Sequence, residues 1–323
     1  MSKPAATSAG SVLPQLPRGS WDTHFHIFPS DYPLSQTPMF VPPRLDPSAQ
    51  ESLHASLGVD RTVLVHSFAF GDKLESLHDW VAKDPAWRRA VCVLPPTQLD
   101  VDADRQFIKR LDGAGVRGVR AELEGDDRAT KVRALKKVFE RLDRAGVRWT
   151  VCVQELDAAF YDALLAAFDS FPTSQILMID HLAFLPGPWG QHPPPASIDV
   201  MAVPHFSSIV ALLRHNPSTV YIKLSAPYRL TLSPSTDTVT YDSLEPLVKA
   251  LKVFPDQLVW GTDWPHTPLH HDMAARRKAG LGSEVIPLRI KEDMPSWLAL
   301  LKEWLGEEVF VKMMVDNPAR LYE

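Results

Sequence analysis

Two histidines two residues apart, His24 and His26, stand in the run Trp21-Asp22-Thr23-His24-Phe25-His26-Ile27-Phe28. Read as a strand, this run puts Asp22, His24 and His26 on one face and Trp21, Thr23, Phe25 and Ile27 on the other. Imidazoles so spaced on a rigid strand converge on one point, which suits a metal ion or a carbonyl oxygen. A lone histidine is more often a buried, hydrogen-bonded structural residue. A D-x-H-x-H run between apolar residues reads better as the first wall of an active site. Far along the chain, His181 and Asp263 each close an apolar run, at 175–181 and 257–263. His24, His26, His181 and Asp263 together supply three imidazoles and a carboxylate, enough for one divalent ion with a position left open for water. Equally, the imidazoles could hold a carbonyl oxygen while Asp263 draws a proton from water. Residue types and spacing leave both open.

The elements that must position these groups alternate. Continuous β-branched or apolar runs lie at 21–28, 61–66, 90–94, 116–121, 147–153, 175–181, 219–225 and 257–263. Between them the pattern predicts helices at 47–57 (closed by Gly58), 72–83, 101–113, 130–145 (closed by Gly146), 157–169, 205–215 and 242–253, with 295–305 and 307–315 at the end. Such runs suit a parallel sheet covered on both faces, and eight β-then-α units imply closure into an α/β (β/α)8 TIM barrel. A doubly wound open sheet is the competing arrangement, but no Gly-rich turn follows the first strand. The proline-rich stretches 29–47 and 185–204 read as long βα loops. Residues 1–20, with no apolar core segment, are expected to form a flexible tail rather than a secretory signal, and 21–323 a single barrel domain.

Barrel chemistry sits at the C-terminal ends of the strands. Those ends carry His24 and His26, His66 and Ser67, Arg120 and Glu122, Gln154 and Glu155, Asp180 and His181, Lys223 and Ser225, and Asp263 with His266. A purely structural barrel need not collect His, Asp and Arg there. Some of these have ordinary roles: Asp180 as a supporting or capping residue facing away from His181, His66 as a satisfied strand-end histidine, Glu122 and Glu155 as solvated carboxylates. Arg117 and Arg148 are expected in ion pairs at the opposite face of the barrel, and His270 and His271 in an exposed loop.

Composition narrows the partners. The chain has 323 residues, 45% apolar and 23% charged, with a net charge of −5 and no block of Lys or Arg, so a nucleic-acid partner is not expected. No apolar run approaches the ~20 residues of a membrane span. The two cysteines, Cys92 and Cys152, sit inside apolar runs and read as buried thiols, in keeping with a reducing, cytoplasmic setting. The expected partner is a small-molecule substrate, and the expected state a monomer or homodimer.

The D-x-H-x-H strand, Gly118-Val119-Arg120, Ile179-Asp180-His181, Lys223-Leu224-Ser225, Trp260-Gly261-Thr262-Asp263-Trp264-Pro265-His266 and the closing Asp316-Asn317-Pro318-Ala319-Arg320-Leu321-Tyr322 resemble the amidohydrolase superfamily. Within it they are most similar to the branch of 2-pyrone-4,6-dicarboxylate lactonase and related sugar-lactone and muconolactone hydrolases, whose setting is aromatic degradation. The resemblance runs from Trp21 to Tyr322. It implies a hydrolase that opens a cyclic ester, with Asp263 as base for water and His24, His26 and His181 polarising the carbonyl. It implies Arg120 and Arg229 as holders of a substrate carboxylate; Ser67, Gln154, Lys223 and His266 are expected as further substrate contacts from their strand-end positions. It favours no resident metal; the alternative is a single zinc or manganese on His24, His26, His181 and Asp263. Two metals are disfavoured, because strand 4 ends Arg120-Ala121-Glu122 and lacks the bridging Lys of dinuclear relatives. Leu182-Ala183-Phe184 after His181, where dicarboxylate lactonases offer an Arg, and Met39-Phe40-Val41 in place of a Tyr imply a less polar pocket and a less charged substrate. A metal-dependent decarboxylase or amidohydrolase acting on an aromatic or muconate-type acid is the competing activity; a catalytically silent binding barrel is the competing class.

Overall fold

In the computed structural model of the chain, the residues described are 16–36, 38, 40–95, 100–123, 125–185, 199–231, 241–267, 278–280, 283–286 and 294–323. His270, His271 and Met39 lie outside them. Eight parallel strands follow one another in chain order around a (β/α)8 barrel. They are β1 (Trp21–Phe25), β2 (Arg61–Val65), β3 (Arg88–Cys92), β4 (Val116–Arg120), β5 (Thr150–Val153), β6 (Ile176–Ile179), β7 (Val220–Ser225) and β8 (Leu258–Gly261). The main outer helices are α1 (Pro47–Leu57), α2 (Glu75–Lys83), α3 (Val101–Gly113), α4 (Arg128–Ala145), α5 (Phe160–Ala167), α6 (Phe206–His215), the short α7 (Tyr228–Thr231), α8 (Glu245–Leu251) and α9 (Met294–Leu305).

Alternation along each strand sorts side chains between two cores. Leu64, Val119, Val151, Leu177, Ile179, Ile222, Leu224 and Trp260 join the layer under the helices. Trp21, Val63, Val65, Cys152, Met178, Tyr221 and Val259 fill the barrel interior. The helices are begun by side chains that accept from free backbone N–H groups, as Asp46 does for α1 and Asp127 for α4. Gly58 ends α1 in a left-handed conformation, φ 77°, that suits glycine.

The first strand departs from strict alternation. Trp21 belongs to the interior core and Phe25 to the outer layer, because the β1–β2 register shifts between Asp22 and Phe25. The expected sharing of one face by Asp22, His24 and His26 is therefore corrected: the irregularity leaves the histidines on the site and frees Asp22 for a structural task. Its Oδ1 accepts from the backbone N–H groups of His24 (3.0 Å) and Thr262 (3.0 Å), and its Oδ2 from Thr262 Oγ1 (2.6 Å) and His54 Nε2 of α1 (2.8 Å). One buried carboxylate thus joins β1, the end of β8 and α1 where the barrel must close. Two backbone bonds complete the seam, Asp263 N to His24 O at 2.7 Å and His26 N to Trp264 O at 2.8 Å. Gly261 faces the same seam; a Cβ there would lie 2.6 Å from the His24 Cβ, so only glycine allows this approach.

The closing N-P-A-R-L-Y run is structural. Asn317 Nδ2 donates to the carbonyls of Pro255 and Leu258, both at 2.8 Å, and the buried Tyr322 ring lies against Trp21 with centroids 6.0 Å apart. Of the stretch expected as a tail, Leu16 joins the outer core and Ser20 is fully buried. Arg117 makes its expected ion pair, with Asp112, whereas Arg148 donates to the Ser218 carbonyl at 3.4 Å. Cys92 and Cys152 are buried free thiols, both pushed up to about 12 by burial. No helix among the described residues is long and apolar enough to cross a membrane.

Removing the Asp22 carboxylate strands several buried donors at once. Asp22→Ala is expected to destabilise the fold by about 3 kcal/mol, since each stranded buried donor costs roughly 1–3 kcal/mol. The urea midpoint should fall accordingly; a shift worth under about 1 kcal/mol would show that the seam closes without this residue.

Candidate active site

His24 and His26 project from the end of β1, His181 follows β6 and Asp263 follows β8. The three imidazoles gather around one carboxylate oxygen. Asp263 Oδ1 lies 3.5 Å from His24 Nε2, 3.4 Å from His26 Nε2 and 3.9 Å from His181 Nε2. These separations suit a small group held between the four atoms. The other oxygen, Oδ2, accepts from Tyr228 Oη at 2.6 Å and Arg229 Nε at 2.9 Å. Burial by itself would raise the Asp263 pKa, but the Arg229 guanidinium outweighs it and holds the carboxyl well below the ordinary value. The carboxylate is therefore ionised, oriented, and offers one oxygen.

The backbone under these groups is unusual. His181, Leu182, Ala183 and Phe184 all take left-handed φ angles, of 54°, 52°, 58° and 49°, and so do Ala226, Asp263 and His266. Non-glycine residues in this region cost of order 1–3 kcal/mol each and cluster at functional sites. Here the turn swings His181 back over the barrel after Asp180, whose carbonyl accepts from Ala183 N at 3.0 Å.

Neighbouring side chains settle two of the imidazole tautomers. His26 Nδ1 sits 2.7 Å from the Val65 carbonyl, which can only accept, so Nδ1 carries the proton and Nε2 faces Asp263 with a lone pair. Gln154 is oriented by Arg120, whose Nη2 donates to Oε1 at 2.6 Å. Its amide NH2 is thereby turned to His181 Nε2 at 3.0 Å and Asp180 Oδ2 at 3.3 Å. His181 Nε2 accepts, and its Nδ1 donates to Ser225 Oγ at 2.7 Å. Burial lowers the His181 pKa well below the usual value, and burial followed by the Lys223 charge lowers His24 to about 4. Both are neutral at physiological pH.

The remaining expected site residues divide. Arg120 is buried, with Nη1 on the His66 carbonyl at 2.9 Å and its guanidinium 4.1 Å above the Phe68 ring. Among the described residues no carboxylate lies within ion-pair reach of it, and burial brings its pKa down to about 10. Arg229, expected to grip a substrate carboxylate, grips Asp263 instead, because its charge is needed to keep that carboxylate ionised in the barrel. Lys223 is fully buried behind His24, in an ion pair with Asp180 at 2.9 Å. Ser67 caps the short turn Phe68–Phe70 by accepting from Ala69 N at 3.2 Å. His266 lies edge-on to Tyr228, its pKa lowered to about 4 by burial. His66 stacks on Phe70. Glu155, read as solvated, is buried and paired with Lys131 at 2.8 Å, while Glu122 is exposed as expected. Tyr228 and His54 were not legible as functional or seam residues; a hydroxyl directly before Arg229 was the only available signal for the first. Phe28 lies beside His26 and packs with Phe40 and Phe70, and Phe184 lies edge-on to His181.

The donor set fits one divalent ion on observations of the site itself. His24, His181 and Asp263 each offer an atom within 4.8 Å of the others, and His24 Nε2 and Asp263 Oδ1 are buried without a hydrogen-bond partner among the described residues. Ligands about 2.0–2.2 Å from one zinc lie roughly 3–4 Å apart, and Asp263 Oδ1 stands 3.5 Å from His24 Nε2 and 3.9 Å from His181 Nε2.

The chain is 27% identical over 313 residues to a 4-sulfomuconolactone hydrolase of Hydrogenophaga intermedia, covering 95% of this chain and 89% of that one. It is 25% identical to a 2-pyrone-4,6-dicarboxylate hydrolase of Comamonas testosteroni, covering 95% and 91%. The fold matches a crystal structure from Acinetobacter baumannii, of a probable 2-pyrone-4,6-dicarboxylic acid hydrolase with citric acid bound, at a TM-score of 0.65, 17% identity and coverage of 94% and 99%. The amidohydrolase family itself matches over residues 21–323, and the chain belongs to that family.

Proposed function

We propose that this protein is a hydrolase that opens an anionic lactone with water activated by Asp263. The observation that carries the reading is the convergence of three imidazole edges on one oxygen of a carboxylate whose other oxygen is held by Arg229 and Tyr228. The relatives named above are hydrolases of a sulfonated muconolactone and of a pyrone dicarboxylate, both anionic cyclic esters.

A water seated between the imidazoles gives one proton to Asp263 Oδ1 and directs the other at the Nε2 lone pair of His26, which leaves an oxygen lone pair for the carbonyl carbon. As the new C–O bond forms, the carbonyl oxygen becomes an oxyanion and needs a donor on the His24 side. Collapse breaks the ring C–O bond, and the departing oxygen takes the proton from Asp263. The products are a hydroxyl group and a carboxylic acid, which gives its remaining water-derived proton to solvent as the carboxylate leaves, and the enzyme is returned unchanged. The depressed pKa of Asp263 makes it a weak base, so proton transfer keeps pace with attack rather than preceding it. An ester with a strained or conjugated ring tolerates this. If zinc or manganese is bound, His24, His181 and Asp263 would hold it with His26 beside them, and the ion would polarise the carbonyl and acidify water.

Arg120 supplies the charge recognition. A buried guanidinium without a carboxylate partner among the described residues, set over an aromatic ring, suits one substrate carboxylate gripped by parallel hydrogen bonds. A single such cation beside aromatic walls favours a substrate with one acidic group near the ring over a dicarboxylate. The competing decarboxylase reading uses the same His and Asp groups and would show as loss of CO2 rather than ring opening.

Two substitutions separate these roles. Asp263→Asn keeps the shape and removes the base, and kcat on an acidic muconolactone or pyrone should fall by about 10²–10⁴. Turnover near the wild-type rate would rule Asp263 out as base. Arg120→Lys should raise KM for the same substrate roughly tenfold, about 1.4 kcal/mol, with a smaller change in kcat. A KM that does not move, or that moves equally for a neutral lactone, would assign Arg120 to structure alone.

A further inference from the structure

The tautomer of His24 is set from behind. Its Nδ1 lies 3.3 Å from the Lys223 ammonium and 3.7 Å from Asp180 Oδ2. Asp180 is already engaged, Oδ1 with Lys223 at 2.9 Å and Oδ2 with the Gln154 amide at 3.3 Å. A proton on Nδ1 would point at the nearer ammonium, which has only protons to offer. A lone pair there accepts from it. The opposite edge is compatible with this tautomer. His24 Nε2 is buried, has no hydrogen-bond partner among the described residues and faces Asp263 Oδ1 at 3.5 Å. An N–H at this edge is directed at the Asp263 carboxylate oxygen.

We propose that Lys223 is the positioning residue of this site: its ammonium takes the Nδ1 lone pair of His24, places the imidazole proton on Nε2, and so turns His24 into the one imidazole that donates into the reaction space. The donation to a lactone carbonyl rests on the functional reading above; the tautomer does not. His26 presents a lone pair and His181 Nε2 accepts from Gln154, so the three histidines, alike in sequence, divide into one that holds water, one tied to Gln154 and one that receives the oxyanion. The same arrangement bears on metal. An Nε2–H has no lone pair for an ion, so the Lys223 ammonium weakens the three-residue cluster as a metal site without occupying it. Lys223 and Asp180, remote from any substrate atom, would choose between a hydrogen-bonding site and a metal-binding one.

The test is the tautomer itself. In full-length 15N-labelled protein at neutral pH, long-range proton–nitrogen correlation of the imidazole rings should show His24 protonated at Nε2 and bare at Nδ1, its signals identified by their loss in His24→Gln. Protonation at Nδ1 would overturn the proposal, and because this measurement uses the wild-type protein it stands even if a variant fails to fold. In Lys223→Met the proton should move to Nδ1, facing Asp180, and calorimetric titration with zinc should show a Kd at least tenfold tighter. On the lactone, kcat should fall by at least tenfold with KM little changed, and Lys223→Arg should keep the wild-type tautomer. A folded Lys223→Met with an unaltered tautomer and unaltered zinc affinity would reduce Lys223 to a structural residue. Absence of ring opening on every lactone, with the tautomer as stated, would instead defeat the functional reading and leave this one in place.

Discussion

A negative charge in the mouth of a barrel must be matched within the protein or it will take up a proton. The Arg229–Asp263 pair meets that demand here, and the rest of the site follows from it. Arg229 and Tyr228 occupy Oδ2, so Oδ1 alone is left to work, and the three imidazole edges are arranged about that atom. A second ion pair, Lys223–Asp180, lies deeper and plays the same part for His24. Both pairs are buried, where breaking one partner away from the other is strongly destabilising. Their geometry is accordingly held by strands on both sides, β6 and β7 for one, the ends of β7 and β8 for the other.

The barrel and the reactive groups were largely legible in the chain. Continuous apolar runs alternating with capped helices give eight β/α units, and polar residues at strand ends mark the mouth. Other features were not legible, for physical reasons. A strand read by alternation places Asp22 beside His24 and His26, but a one-residue register shift sends it to the seam. The run His181–Phe184 has no glycine to advertise its left-handed backbone. The clamp residue Arg229 looked like a substrate ligand because its partner, Asp263, is 34 residues away in sequence and adjacent only in the folded mouth. Lys223 looked like a mouth residue because strand-end position does not reveal depth. Tertiary pairing decided each of these, and local sequence carries little of it.

The site also lies on the joint where the last strand of the barrel meets the first. His24 and Asp263 are joined by backbone bonds across the β8–β1 seam, with Asp22 and Gly261 directly beneath. The contacts that close the barrel and those that place the His–Asp cluster are therefore shared. Small disturbances of the seam are expected to appear first as lost activity, because a shift of about 1 Å in reacting groups lowers rates by about 10², well before the core of the barrel is affected.

The central claim is that Asp263 Oδ1 acts on water and not on the substrate carbon. A carboxylate with one oxygen immobilised and the other facing the reaction space could serve as a nucleophile as well as a base, and the two differ in the fate of oxygen. Single-turnover hydrolysis of a lactone substrate in 18O-enriched water distinguishes them directly. A base role requires one solvent oxygen in the new carboxylate of the first-turnover product and none in the protein. Unlabelled first-turnover product, with 18O recovered in the Asp263 side chain, would contradict it.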